Sequence, residues 1–103
     1  MEINKEIVGN ILTVKIKGSL DINTAPELSK ALKGALDNVK EVVFDLGDSD
    51  YTSSAGLRVL LETYQILDKK KGKMLIKNVC DALYDTLKLS GFTDFINIHK
   101  KED

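Results

Sequence analysis

The sequence predicts a small α/β domain, a mixed sheet of four or five strands covered by helices in the order β-β-α-β-α-β-α-β. Three observations carry that prediction. Two alternating runs near the start flank Gly9-Asn10, the signal of an antiparallel hairpin. After them, short apolar runs alternate with helical apolar stripes, which implies right-handed crossovers and parallel pairing. The 103 residues suffice for one domain with a real core and not for two, so the chain is read as one domain, 1–103.

Residues 11–17 alternate, with Leu12, Val14 and Ile16 on one face and Thr13, Lys15 and Lys17 on the other. Residues 2–8 alternate more weakly, with Ile3 and Ile7 in phase. Residues 24–36 read as a helix. Thr24 with Glu27 forms a capping box, Pro26 suits the first turn, and Leu28, Ala31, Leu32, Ala35 and Leu36 share one stripe. Gly34 weakens that helix by about 1 kcal/mol relative to Ala. In residues 41–46, Val42, Val43 and Phe44 are contiguous, the pattern of a central strand covered on both faces. Leu28 and Leu32 are expected against it from one helix, and Leu60, Leu61 or Tyr64 from another.

A polar loop leads to a long helix from about Ser54, with Leu57, Leu60, Leu61, Tyr64 and Leu67 as its core stripe and Gly72 at its end. Residues 73–77 form a strand. Asn78 is expected to cap a third helix carrying Val79, Ala82, Leu83, Thr86 and Leu87, stopped by Ser90-Gly91. Residues 95–98 form a last short strand or extended segment, and the polar tail from His99 is expected to fray.

Composition narrows the function. Apolar residues make up 43% and charged residues 30% with a single proline, which excludes a disordered or low-complexity chain. A net charge of −1 lacks the basic excess of a general nucleic-acid or anionic-membrane binder. The lysines Lys69, Lys70, Lys71, Lys73 and Lys77 complement a helix C-terminus, with no interleaved aromatics to stack bases. Cys80 has no partner for an internal disulfide, which fits a reducing cytoplasm. No apolar run approaches the ~20 residues of a membrane span, and the N-terminus has no apolar secretory region.

Catalytic chemistry finds few supports. One histidine and one cysteine cannot build a soft-ligand metal cluster, and Asp45, Asp48 and Asp50 lack the spacing of a calcium loop. No metal or cofactor is expected. Ser54 lies at a strand-loop-helix junction among small residues, as a hydrolase nucleophile does, but His99 in the tail supplies no base. Asp45 at a strand end invites an aspartyl phosphoacceptor reading, which fails for want of an acidic pair and a closing lysine. What remains is a helix N-terminus presenting Thr52, Ser53 and Ser54. Capping alone explains a serine there, at about 1 kcal/mol. A phosphate at Ser54 would also meet backbone N–H groups and the positive dipole end, which suits a phosphorylation switch.

The run EVVFDLGDSDYTSSAGLRVLL resembles the signature of STAS domains, specifically the anti-sigma factor antagonists of bacteria. Upstream, Gly18, Leu20, Asp21, Thr24 and Ala25 resemble a second family segment, and the later K-L-S-G-F run also fits. The resemblance implies partner switching. The unmodified antagonist binds an anti-sigma factor that is also an ATP-using serine kinase, and so frees the sigma factor. Phosphorylation on the serine two positions before the motif glycine releases the antagonist, and a metal-dependent serine phosphatase restores it. That serine corresponds to Ser54, because Gly56 matches the motif glycine. Ser53 stands where many members have Asp, and Ala55 where many have Ser or Thr.

The resemblance also implies a partner-facing surface of Asp21, Thr24, Ser53, Ser54, Gly56, Leu57 and Arg58. Asp21 reads equally as part of that surface and as a turn carboxylate before Thr24. Asp45 reads as support for the loop after it. Arg58 is expected to pair with Asp48 or Asp50 sooner than to meet a partner, and Cys80 to be a buried or half-buried helix residue. The expectation is a cytoplasmic binding protein that is no enzyme and engages neither nucleic acid nor the membrane interior. The alternative within the family is a subunit of a lipid-transport ABC complex that binds its ATPase.

Overall fold

The computed structural model describes residues 1–102. Strands β1 (Glu2–Val8) and β2 (Ile11–Lys17) form the expected hairpin, with Val8 opposite Ile11 and Gly9 at φ 61 in the two-residue turn. A glycine with positive φ at the first turn position matches the twist of the flanking strands. Helix α1 (Ala25–Leu32), β3 (Glu41–Asp48), α2 (Ser54–Lys69), β4 (Lys73–Val79), α3 (Asp81–Leu89), a 3-10 turn (Phe92–Asp94) and β5 (Asn97–Lys100) follow. The five strands lie in the order β1-β2-β3-β4-β5, with β1 antiparallel to β2 and the other pairs parallel.

That order has a direct consequence. Strands β2 to β5 are added in one direction, so right-handed crossovers place all three helices on the same face. The helix-facing residues Leu12, Val14, Phe44 and Ile76 are fully buried, while Val43, Asp45 and Leu75 on the opposite face are only half-buried. The expectation of a central strand covered on both faces is corrected: β3 is central, but one face of the sheet is open. Leu28 and Leu32 of α1, Leu60 of α2 and Leu83 of α3 belong to the core with Phe44, as expected from their stripes. In α2 the buried stripe runs through Gly56, Val59, Leu60, Thr63 and Leu67, whereas Leu57, Leu61 and Tyr64 are half-buried on its flank. Thr63 is tolerated inside because its hydroxyl donates to the Val59 carbonyl at 2.8 Å.

The structure moves several element ends. Helix α1 stops at Leu32, not residue 36, because Lys33 turns extended and Gly34 takes φ 81; Leu36 is buried beyond the helix. The Thr24–Glu27 capping box does not form. Asp21 Oδ1 instead accepts the Thr24 N–H, and the Thr24 hydroxyl is turned back to the Ser19 carbonyl. Cys80, not Asn78, precedes the third helix; Asn78 stays in β4 with a left-handed φ of 60. Cys80 is half-buried. The last strand is β5 at 97–100 instead of 95–98, because the Ile96 N–H closes the 3-10 turn onto the Phe92 carbonyl at 2.9 Å. The expected fraying is therefore corrected at its start: His99 and Lys100 are in β5, and the Lys101 N–H donates to the Val79 carbonyl at 2.8 Å. The end of the tail, Asp103, lies outside the described residues.

Candidate functional site

The C-terminal ends of β2 and β3 lead into two loops, 18–24 and 49–53, which are stitched together before either helix begins. Leu20 and Thr52 form a lone parallel bridge. The Leu20 N–H donates to the Tyr51 carbonyl at 3.0 Å, and the Ser53 N–H donates to the Leu20 carbonyl at 2.8 Å. Lower down, the Gly18 N–H donates to the Asp48 carbonyl at 3.0 Å and the buried Ser49 hydroxyl to the Gly18 carbonyl at 2.7 Å.

The three consecutive hydroxyls have separate fates. Thr52 is buried, and its hydroxyl donates to the Ser53 carbonyl at 3.2 Å. Ser53, in extended conformation, is the N-cap of α2; its Oγ accepts the Gly56 N–H at 3.4 Å and its carbonyl accepts the Leu57 N–H. Ser is as good a cap as Asp, so the helix start is intact. Ser54 is the first residue of α2 and is exposed, with no hydrogen bond from its hydroxyl among the described residues. The first-turn N–H groups beside it have no intrahelical acceptor, and the dipole end is positive.

Gly56 is where α2 rests on the bridge. A Cβ there would lie 2.7 Å from Leu20 Cγ and would also collide with the Thr52 hydroxyl. Leu57 is half-buried beside it, and Arg58 is exposed one turn into the helix. The expected pairing of Arg58 with Asp48 or Asp50 is not found. Asp48 faces Lys15 at 3.6 Å, because it sits at the end of β3 beside the last turn of β2.

Asp21 lies next to the bridge and organises the first loop. Its Oδ1 accepts the N–H of Asn23 at 2.9 Å and of Thr24 at 3.0 Å, and the Thr24 hydroxyl accepts the Asp21 N–H at 2.8 Å. The backbone N–H of Thr24, with that of Asn23, holds the Asp21 carboxyl below its ordinary value. Asp45, on the open face, ties the next loop: its Oδ1 accepts the Gly47 N–H at 3.0 Å and Asn78 Nδ2 at 3.1 Å. Burial pushes the Asp45 carboxyl up, but those bonds and nearby Lys77 and Lys15 outweigh it and leave it lowered. The structure thus gathers Asp21, Thr24, Ser53, Ser54, Gly56, Leu57 and Arg58 around one bridged pair of loops and leaves Asp45 on the open sheet face.

Sequence reasoning passed over Leu20 as the floor beneath Gly56. It also passed over Ile22 and Tyr51, two strongly exposed apolar residues in these loops. Their only signal was a large apolar side chain inside an otherwise polar run. Among the described residues no group of His, Cys, Asp or Glu is arranged to hold a metal ion, and no helix is long and apolar enough to cross a membrane.

Comparison with known proteins gives this arrangement a family. The chain is 28% identical over 105 residues to the anti-sigma-B factor antagonist of Bacillus subtilis, covering 100% of this chain and 96% of that one. Its fold superposes on SpoIIAA, an anti-sigma factor antagonist solved in its unphosphorylated form, with a TM-score of 0.83 at 14% identity over 94% of this chain and 87% of that one. The phosphorylated form of Bacillus SpoIIAA gives 0.76 at 14% identity, covering 94% and 90%. The model of the STAS domain matches residues 2–103, and the chain belongs to the STAS domain family.

Proposed function

We propose that this chain is an anti-sigma factor antagonist that acts in the cytoplasm by binding and not by catalysis. Unphosphorylated, it binds a kinase-type anti-sigma factor through the bridged loops and the start of α2, which frees the sigma factor. Phosphorylation of Ser54 by that kinase ends the binding, and a metal-dependent serine phosphatase resets it. One observation carries the reading: of three consecutive hydroxyls, Thr52 is buried, Ser53 is occupied as a cap, and Ser54 alone stands exposed at the helix N-terminus. The relative named for antagonism of an anti-sigma factor, and the structural neighbour known in phosphorylated and unphosphorylated forms, support it.

The test is incubation with a kinase-type anti-sigma factor and ATP, followed by mass spectrometry. A single phosphate on the peptide holding Ser54, absent from Ser54→Ala, is the expected result. A phosphate on Ser53, or none, overturns the assignment. A genomic position beside permease and ATPase genes, together with binding to that ATPase, would favour the transporter alternative.

A further inference from the structure

We propose that Ile22 and Tyr51, in the two bridged loops that precede Ser54, are the apolar anchors by which the anti-sigma kinase grips this chain. This inference rests on the antagonist reading and adds to it the residues that supply affinity.

Ile22 is 74% exposed and Tyr51 53% exposed. They lie in the two loops that the Leu20–Thr52 bridge joins, Ile22 two residues after Leu20 and Tyr51 just before Thr52. A single exposed apolar side chain needs no explanation, but two in the bridged loops that lead to one exposed serine call for one.

The backbone beneath both is fixed. Asp21 accepts the N–H groups of Asn23 and Thr24, which follow Ile22, and the Tyr51 carbonyl accepts the Leu20 N–H. Anchors carried on a fixed backbone lose little freedom on binding. Arg58 is exposed and can add a charged contact, whereas three other polar groups nearby are not free to do so. Asp21 is committed to its loop, Asp48 already faces Lys15, and Ser54 must stay free for phosphate transfer. Interfaces draw most of their affinity from a few large, buried side chains, with tyrosine prominent among them. The partner chemistry follows: a kinase surface with apolar recesses beside the mouth of its nucleotide site, where the Ser54 hydroxyl enters.

Calorimetric titration of the anti-sigma kinase, without ATP, against Ile22→Ala, Tyr51→Ala, Ser54→Asp and Ile66→Ala tests this. Ile66 is a comparison residue, 47% exposed on a distal turn of α2. Ile22→Ala and Tyr51→Ala are each expected to weaken binding tenfold or more with unchanged melting temperature, and Ile66→Ala to bind as wild type does. In phosphorylation assays the two variants are expected to raise the KM for the antagonist and keep kcat. If both bind within twofold of wild type while Ser54→Asp loses binding, the anchors are wrong and the antagonist reading stands. If the two side chains prove to hold copies of this chain together, with kinase affinity unchanged, the proposal is likewise overturned. If wild type binds no anti-sigma kinase, the antagonist reading falls and takes the anchors with it.

Discussion

Gly56 sits against Leu20 so closely that a Cβ on Gly56 would lie 2.7 Å from Leu20 Cγ and 2.9 Å from Leu20 Cδ2. The contact joins the two site loops to the first turn of α2. It explains a glycine inside a helix, where glycine otherwise costs about 1 kcal/mol relative to alanine. Because Leu20 is 2% exposed and bridged to Thr52, it cannot swing away from an added methyl. Gly56→Ala is therefore expected to destabilise the domain by about 1–3 kcal/mol, as overpacking does, despite the better helix propensity of alanine. A thermal melt reads it directly. A melting temperature equal to or above wild type would mean that helix and loop can separate without cost.

The opposite faces of β3 offer a second contrast. Phe44 is fully buried under the helices, whereas Val43 is half-buried on the open face. Phe44→Ala is expected to cost about 3–5 kcal/mol and Val43→Thr less than about 1 kcal/mol. Denaturant unfolding with matched m-values separates the two. Similar losses at both positions would require something to cover the open face.

Acid should destabilise the fold through Asp21 and Asp45. Both carboxyls are lowered in the fold, Asp21 chiefly by the Thr24 N–H and Asp45 by hydrogen bonds that outweigh its burial. A lowered folded value means that the unfolded chain binds protons first. The stabilisation is complete above the ordinary carboxylate value of about 4 and is lost as pH falls through the lower folded values. Melts from pH 7 to pH 2 are expected to be flat above about pH 5 and to fall steeply below 4. Asp45→Asn should be less stable at neutral pH and show a shallower acid limb; an unchanged limb would remove Asp45 from the account.

These contrasts also mark what the sequence could reveal. The hairpin was legible because Gly9-Asn10 stands between alternating runs, and the site was legible because two separated segments carry its pattern. The open face was not. Val42, Val43 and Phe44 are equally apolar, and only the one-directional strand order leaves Val43 uncovered. The start of α1 failed for a different reason. Thr24 and Glu27 have capping-box spacing, but Asp21, three residues earlier, competes for the Thr24 N–H and wins. Asn78 misled because a polar residue before a helix resembles a cap, while here its left-handed φ and its bond to Asp45 keep it in the sheet end.

Ser53 supports the helix and Ser54 carries the proposed switch, so their variants should part company. Ser53→Ala removes the side chain that accepts the Gly56 N–H and is expected to cost about 1 kcal/mol, while phosphorylation at Ser54 continues. Ser53→Asp should restore the lost stability, since Asp caps equally well. Loss of phosphorylation in Ser53→Ala at a temperature where it remains folded would assign Ser53 a role in the kinase reaction.

Ser54→Asp separates stability from binding. The added charge enters at the positive end of α2, where a carboxylate is favoured by about 0.3–1 kcal/mol. Ser54 makes no hydrogen bond among the described residues that the change would break, and it is exposed. The fold should therefore keep a melting temperature close to wild type. The partner gains no such compensation. A kinase that holds nucleotide phosphates opposite Ser54 must accept another negative charge. Phosphate, at about −1.5 to −2 charges, magnifies the same effect. The cost should appear in affinity: Ser54→Asp binds the anti-sigma kinase much more weakly, and Ser54→Ala binds it and resists release by ATP. Titrations of both variants beside thermal melts make the comparison. Equal affinity for Ser54→Asp and wild type would overturn the charge argument, and a large fall in melting temperature would move the effect from the interface into the fold.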